Sequence, residues 1–170
     1  FIFSTNQYGI TSPKQSVKYG PYILYNILEK KLNDLIYNLA SKLQLCGPAQ
    51  IDLILKDEDF YVIEINPRLS GMTSSYCVSL NKSIYDVVVE QLILHKEYKL
   101  SDFIPTINLK LQLLEYEELE KLSELPFIRF INQINNLEAK QEREKGYCEV
   151  IISGKTIPEL KENIKNSFQL

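Results

Sequence analysis

The sequence predicts an α+β protein with an antiparallel sheet and flanking helices. Several short segments alternate apolar and polar residues with a period of two, which is typical of strands. Other segments repeat apolar residues at three- and four-residue steps, which is typical of amphipathic helices. Because the two kinds of segment do not alternate one for one, the pattern favours antiparallel pairing over a parallel α/β sheet.

The first part of the chain contains a long helix followed by a hairpin. The predicted elements are a strand end and loop over residues 1–20, a helix over 22–43, strands over 48–56 and 60–66, a loop over 67–71 and a helix over 83–96. Leucines from Leu24 to Leu43 form the apolar face of the long helix, with Pro21 in its first turn and Gly47 just past its end. Ser83 is the expected N-cap of the later helix.

The last third predicts further strands and helices. They are strands over 106–114, 127–134 and 147–153, a short helix over 116–125, a charged stretch over 137–145 and a helix over 157–168. Thr156 and Pro158 mark the start of the final helix. We predict a division into residues 1–104 and residues 105–170.

Composition excludes several classes of protein. The 170 residues are 45% hydrophobic and 24% charged, with a net charge of −3, which argues against a strongly basic nucleic-acid-binding protein. No segment approaches the roughly 20 apolar residues of a membrane helix. Three separated cysteines and a single histidine disfavour a disulfide framework, a zinc site and a Ser-His-Asp triad. We expect a cytoplasmic protein, and the start at Phe1 suggests a piece of a longer one.

The predicted hairpin places two acids together. With Asp57-Glu58-Asp59 as the turn and Glu58 at its centre, Asp52 lies opposite Glu64 and Gln50 lies beside Asn66. Strand alternation then puts Phe60, Val62, Glu64 and Asn66 on one face of the second strand.

Facing carboxylates repel each other unless one is protonated or a cation lies between them. Two carboxylates and an amide oxygen are hard donors that suit Mg²⁺, which usually keeps water and binds substrate phosphates as well. Arg68 could add a bidentate phosphate contact. The alternative is an ordinary solvated acidic face.

The run VIEINPRLSGMTSS, preceded by GPAQIDLILKDEDFY, resembles the second half of the ATP-grasp ligase domain. Carbamoyl-phosphate synthetase large chains, biotin carboxylases and D-alanine–D-alanine ligases share that domain. The resemblance covers residues 1 to about 98, and GYCEVIISGKTIPELKENI is similar to a C-terminal strand and helix of these enzymes. It implies that residues 1–104 are the C-terminal part of an ATP-grasp domain and residues 105–170 a small α+β subdomain.

The resemblance also implies roles for individual residues. Those with a metal role are Asp52, Glu64 and Asn66; those near ATP phosphates are Arg68, Asn66, Lys14 and Lys18; those near the substrate are Ser70, Gly71, Met72 and Thr73. Arg68 and Gln50 are the implied catalytic residues. Gln50 stands where D-alanine–D-alanine ligases carry an arginine that stabilises the oxyanion, so it can donate a hydrogen bond but supplies no charge.

The implied activity is an ATP-dependent carboxylate–amine, or carboxylate–thiol, ligase that forms an acyl phosphate and uses Mg²⁺ or Mn²⁺. Its partners would be ATP, a small carboxylate, an amine acceptor and the missing N-terminal lobe, with a homo-oligomer as an option and no nucleic acid or membrane. The chain alone is expected to be inactive. One alternative is a non-catalytic fragment or subunit that docks to a separate ATP-binding chain. Another is an α+β scaffold whose acid pair is only a surface feature.

Overall fold

A computed structural model describes residues 4–5, 16–135 and 146–168. The chain divides into two compact units, one formed by Phe1–Tyr22 and Ser75–Leu170 and the other by Ile23–Ser74. The strands are β1 Ser4–Thr5, β2 Ser16–Gly20, β3 Gln50–Lys56, β4 Asp59–Asn66, β5 Thr106–Leu111, β6 Ile128–Asn135 and β7 Gly146–Ser153. The helices are α1 Asn26–Leu43, α2 Thr73–Leu80, α3 Ile84–Val88, α4 Tyr116–Ser123 and α5 Ile157–Phe168.

The first unit is built on a five-stranded sheet in the order β1-β2-β5-β7-β6, and every neighbouring pair is antiparallel. One face of this sheet supports the main core. Ile107 and Leu109 of β5 are fully buried there beside Val150 and Ile152 of β7. Leu122 of α4 and two α5 residues, Leu160 and Ile164, belong to the same cluster. The predicted α+β class is therefore confirmed.

The opposite face of the sheet carries several buried polar residues beside the buried Ile151. Thr106, Asn108, Glu149 and Ser153 are buried on it, and their position follows from the pairing of β5 with β7. Ser75 of α2 is buried against this face, because Asn108 Nδ2 donates to its hydroxyl at 2.7 Å.

A smaller core lies between α2 and the segment that follows it. It contains Cys77, Leu80 and Val87, with Tyr76 and Phe103 packed at its edge. Ser83 caps α3 as expected, since its hydroxyl accepts from the Asp86 backbone N–H while the Asp86 carboxylate accepts from the Ser83 N–H. The helix then widens into a π-helical turn over Val89–Ile93 instead of continuing as α-helix to residue 96.

The second unit contains α1 and the two-stranded sheet β3-β4. Leu28 and Leu32 are the buried apolar residues of α1. The helix begins at Asn26 instead of residue 22, because Tyr25 remains extended at the N-cap. It ends at Leu43, as predicted, and the C-cap residue Gln44 takes a left-handed conformation.

Two elements were not predicted. Residues 16–20 form β2 and not a loop, because their backbone pairs with β5 along its length. Residues 73–80 form α2, although TSSYCVSL lacks a helical period. Within the described ranges, no helix is long and apolar enough to cross a membrane.

Candidate metal and phosphate site

The β3-β4 hairpin brings the predicted acids together. Asp52 is directly opposite Glu64, and Gln50 is directly opposite Asn66. Directly paired residues of an antiparallel ladder project from the same face, with Cα atoms about 4.5–5.5 Å apart. The four polar side chains therefore occupy adjacent positions on one face of the hairpin.

The turn half of the hairpin differs from the prediction. Asp57 and Glu58 form a two-residue turn, Lys56 pairs with Asp59, and the ladder shifts by one residue between Asp52 and Leu53. Ile63 is the extra residue of this β-bulge.

The shift changes which residues accompany the acids. Ile54 pairs with Tyr61, and Leu53 pairs with Val62. Tyr61 therefore shares the acid face. The prediction that Phe60 and Val62 share a face with Glu64 is wrong, because the bulge moves both to the opposite side.

The acid pair is open to solvent. Asp52, Asn66 and Gln50 are half-buried, and Glu64 is exposed. Gln50 Nε2 donates to Asp52 Oδ1 at 2.7 Å, so Gln50 orients this carboxylate. The predicted oxyanion role would require the amide to turn toward a substrate.

The donor set fits a hard divalent cation. Among the residues that the structure describes, no group of three or more histidine, cysteine, aspartate or glutamate side chains could enclose a metal. The hairpin instead offers two carboxylates and one amide oxygen on an open face. Such an incomplete oxygen set suits Mg²⁺ that retains waters and shares substrate phosphates.

The residues after β4 form a compact turn. The Arg68 N–H donates to the Asn66 carbonyl at 2.8 Å, and Arg68 Nη1 donates to the Leu69 carbonyl at 3.0 Å. The side chain of Arg68 is exposed. Arg68 therefore lies two residues from the predicted ligand Asn66, with its guanidinium at the surface.

The predicted substrate residues lead into α2. The Ser70 N–H donates to Thr73 Oγ1 at 3.0 Å, and the Met72 N–H donates to Ser70 Oγ at 3.1 Å. A Cβ atom added to Gly71 would meet nothing within 4 Å. The loop is thus held by its own hydroxyl groups, while the space beside Gly71 is open.

The geometry of the hairpin does not test the roles of the two predicted lysines. Lys14 lies outside the described residues. Lys18 is on β2 in the other compact unit, where it pairs with Asn108. Both phosphate roles remain predictions.

Sequence reasoning missed a buried polar network in the first unit. Asn108 Nδ2 donates to Ser75 Oγ at 2.7 Å and to Glu149 Oε1 at 2.8 Å. Asn108 and Ser75 are fully buried, and Asn108 Oδ1 has no hydrogen-bond partner. The sequence does carry a signal of this network, because one polar residue interrupts each apolar run: Asn108 in TINLKL and Glu149 in CEVII.

A second missed cluster surrounds Glu90. Its carboxylate is 2.6 Å from both Lys82 Nζ and Lys96 Nζ, and it accepts a hydrogen bond from the Tyr98 hydroxyl at 2.8 Å. The hydrogen bond from Lys82, followed by those from Lys96 and Tyr98, lowers the pKa of Glu90 to about 2. Desolvation and the hydrogen bond to Glu90 raise the pKa of Tyr98 to about 12.

The cysteines fit structural positions. Cys77 and Cys148 are buried, and Cys46 is exposed. Desolvation raises the pKa of the Cys77 thiol and raises that of Cys148 to about 11. Both buried thiols are therefore poor nucleophiles near neutral pH.

Comparison with known proteins points to one family. Residues 2–72 match the sequence profile of the ATP-grasp domain. A segment of 62 residues is 42% identical to the carbamoyl phosphate synthase large chain of Pseudothermotoga lettingae; it is 36% of this chain and 6% of that protein. The chain therefore spans a small part of this curated relative.

Solved structures extend the likeness in fold. L-amino acid ligase from Bacillus licheniformis superposes with a TM-score of 0.65 and 20% identity, over 90% of this chain and 44% of the other. An N5-carboxyaminoimidazole ribonucleotide synthetase, solved as its ADP complex, superposes with a TM-score of 0.67 and 17% identity, over 89% of this chain and 40% of the other. The chain thus has the fold found in part of these proteins, and its residues 2–72 are similar to the ATP-grasp domain.

Proposed function

We propose that this chain is the C-terminal portion of an ATP-dependent carboxylate–amine or carboxylate–thiol ligase. The pairing of Asp52 with Glu64, directly beside Gln50 and Asn66, is the observation that supports the proposal most strongly. The likeness of residues 2–72 to the ATP-grasp domain supports the same conclusion. ATP-binding elements outside the described residues would complete the site.

The hairpin would hold the metal-bound phosphates of ATP. Asp52, Glu64 and Asn66 would supply three oxygen ligands to Mg²⁺ or Mn²⁺. The bound ion would neutralise phosphate charge, which is the main electrostatic requirement of phosphoryl transfer. Gln50 would fix the orientation of the Asp52 carboxylate through the bond that it donates to Oδ1.

The chemistry would occur in two steps. A substrate carboxylate oxygen attacks the γ-phosphorus, the bond to the β-phosphate oxygen breaks, and an acyl phosphate and ADP form. An amine nitrogen or a thiol sulfur then attacks the acyl carbon, loses its proton and displaces inorganic phosphate. Arg68 would offset negative charge on the transferred phosphoryl group.

The loop after β4 would receive the carboxylate substrate. Ser70 and Thr73 hold this loop in shape through their hydroxyl oxygens. The open space beside Gly71 would let a substrate approach the backbone.

Substitution of the predicted ligands tests this function. In the protein that contains this chain together with its ATP-binding elements, Glu64→Gln and Asn66→Ala should each lower Mg²⁺-dependent ADP release. We expect a loss of at least about tenfold, since even changes to groups that only support a metal ligand cost about 10- to 100-fold. Excess Mg²⁺ should partly restore turnover, because the defect is in metal binding.

Glu117→Gln is the matched control, since Glu117 is exposed on α4. It should leave ADP release unchanged. Full turnover in both Glu64→Gln and Asn66→Ala would contradict the proposal. ADP release that requires a separately supplied ATP-binding chain would favour the docking-subunit alternative.

A further inference from the structure

We propose that contacts from the start of α1 to the hairpin turn determine which side chain, Tyr61 or Val62, shares the sheet face with the acid pair. We call these contacts the turn clamp: Tyr25 and Lys31 on one side, Glu58 and Asp59 on the other. The assignment of register is independent of the proposed function. Only its consequence for phosphate binding rests on that function.

The turn is not one that its sequence favours. Asp57 and Glu58 have φ angles of 49° and 64°, so both are left-handed. Two-residue turns of this kind normally use Asn-Gly, Asp-Gly or Gly-Gly, because few side chains tolerate positive φ. Aspartate is among the tolerant residues, and glutamate is not. A longer loop over residues 57–59 would place no such demand on Glu58.

The contacts of the turn clamp stabilise the left-handed turn that its own sequence disfavours. Lys31 Nζ donates to the Glu58 carbonyl at 2.9 Å and forms an ion pair with the Asp59 carboxylate. The Tyr25 hydroxyl donates to Glu58 Oε1 at 2.6 Å. Three contacts thus converge on Glu58 of the turn and on Asp59, the first residue of β4. Charge-assisted bonds of this kind are the stronger class.

The two possible turns imply two registers for the hairpin. The two-residue turn pairs Ile54 with Tyr61 and leaves Ile63 as an extra residue before Glu64. A three-residue loop would instead pair Ile54 with Val62 and remove the bulge. Asp52 remains opposite Glu64 in both registers, so the acid pair is the same and only its neighbour toward the turn changes.

The side chain next to the acid pair, Tyr61 or Val62, determines which groups this face of the hairpin offers to a ligand. Tyr61 is 54% exposed and offers an aromatic ring and a hydroxyl group. Val62 would offer neither. Through the turn clamp, Tyr25 and Lys31 therefore act as positioning residues for Tyr61, which becomes a specificity-determining position next to the proposed phosphate site.

Cross-strand disulfides report the register directly. In the full chain with Cys46→Ser, two cysteine pairs are compared: Ile54→Cys with Tyr61→Cys, and Ile54→Cys with Val62→Cys. Directly opposite residues are within disulfide range, whereas residues on opposite faces point apart. With the turn clamp intact, oxidised glutathione should close the 54–61 pair at least about ten times faster than the 54–62 pair.

Removal of the turn clamp should change this ratio. Tyr25→Phe with Lys31→Ala should lower it by about tenfold or more, because the longer loop becomes accessible. Lys30→Ala, an exposed lysine on the same helix, should leave it unchanged. An unchanged ratio without the clamp, or equal rates in the intact chain, would overturn the inference.

Two further variants keep the test valid if the double substitution unfolds the chain. Glu58→Gly removes the side-chain demand of the left-handed turn, so it should retain the 54–61 preference even with Lys31→Ala. Lys31→Ala alone, the milder variant, should lower the preference for the 54–61 pair. The inference is wrong if Glu58→Gly does not restore that preference in the Lys31→Ala background. None of these readouts depends on ATP turnover.

Discussion

At the scale of single residues, three neighbouring groups determine the pKa of the Glu90 carboxylate. Lys82 and Lys96 approach its two oxygens, and Tyr98 donates to one of them. All three interactions favour the charged form, so the pKa of Glu90 falls to about 2 in the folded protein.

This shift predicts an acid-sensitive contribution to stability. The folded pKa lies below the usual value of 4.5, so the stabilisation is complete above about pH 4.5 and is lost as the pH falls toward 2. In urea unfolding, Glu90→Gln should therefore be less stable than the unaltered chain at pH 7. The difference between the two should shrink steadily between pH 4.5 and pH 2. A difference that does not vary with pH would show that the Glu90 charge contributes nothing.

Asn108 differs from Glu90 because its side-chain hydrogen bonds are buried. Its amide nitrogen donates to both Ser75 and Glu149, and all three residues are buried. Removal of that donor leaves two buried acceptors without their partner, which costs more than the net value of the bonds themselves.

We expect Asn108→Ala to destabilise the first unit by about 2 kcal/mol or more, since a buried carboxylate loses its donor. Asn132→Ala is the matched control, because Asn132 is exposed on β6 opposite Glu149. It should change the free energy of unfolding by less than about 0.5 kcal/mol. Chemical denaturation followed by far-UV circular dichroism measures both. Equal effects for the two variants would mean that the Asn108 network adds no stability.

At the scale of elements, the hairpin was the most predictable part of the chain. Two apolar runs of matching length around Asp57-Glu58-Asp59 were sufficient to place Asp52 opposite Glu64. The prediction assumed a turn centred on Glu58. The chain instead uses a shorter turn, and the bulge at Ile63 restores the same pairing at the site. A bulge depends on contacts such as those of Lys31, which hydrophobic periodicity does not record.

The missed elements have a common cause. The backbone of β2 is a strand because β5 pairs with it, and β5 lies far along the sequence. α2 is helical although its residues have little helical pattern, because Ser75, Cys77, Ser79 and Leu80 are all buried. In both cases non-local packing overrides the local preference. Elements with strong local signals, such as the capped α3 and α5, were placed correctly at their starts.

The hairpin itself should respond to metal. If Asp52, Glu64 and Asn66 bind Mg²⁺ with ATP, millimolar MgCl₂ and ATP should slow amide hydrogen exchange in β3 and β4, because binding to the folded state suppresses local opening. The strands β5 and β7 should be unaffected. Asp52→Asn with Glu64→Gln should abolish the protection. Equal protection in the double variant would place the ligand elsewhere.

At the scale of the whole molecule, the two units bury very different cores. In the described residues, the second unit buries Leu28 and Leu32, whereas the first buries apolar side chains from seven of its strands and helices. Local stability follows buried apolar contact, so we expect the unit with the candidate site to open more readily. The predicted division after residue 104 remains a prediction, and the compact units divide the chain elsewhere.

The interleaved order of the strands has a consequence for how the protein is made. Gly20 of β2 pairs with Thr106 of β5, and everything between them, including α1 and the hairpin, is synthesised first. A ribosome therefore releases β2 long before its partner exists. During that interval the edge of β2 is open to improper association, and a chain cut after residue 104 would leave it so permanently.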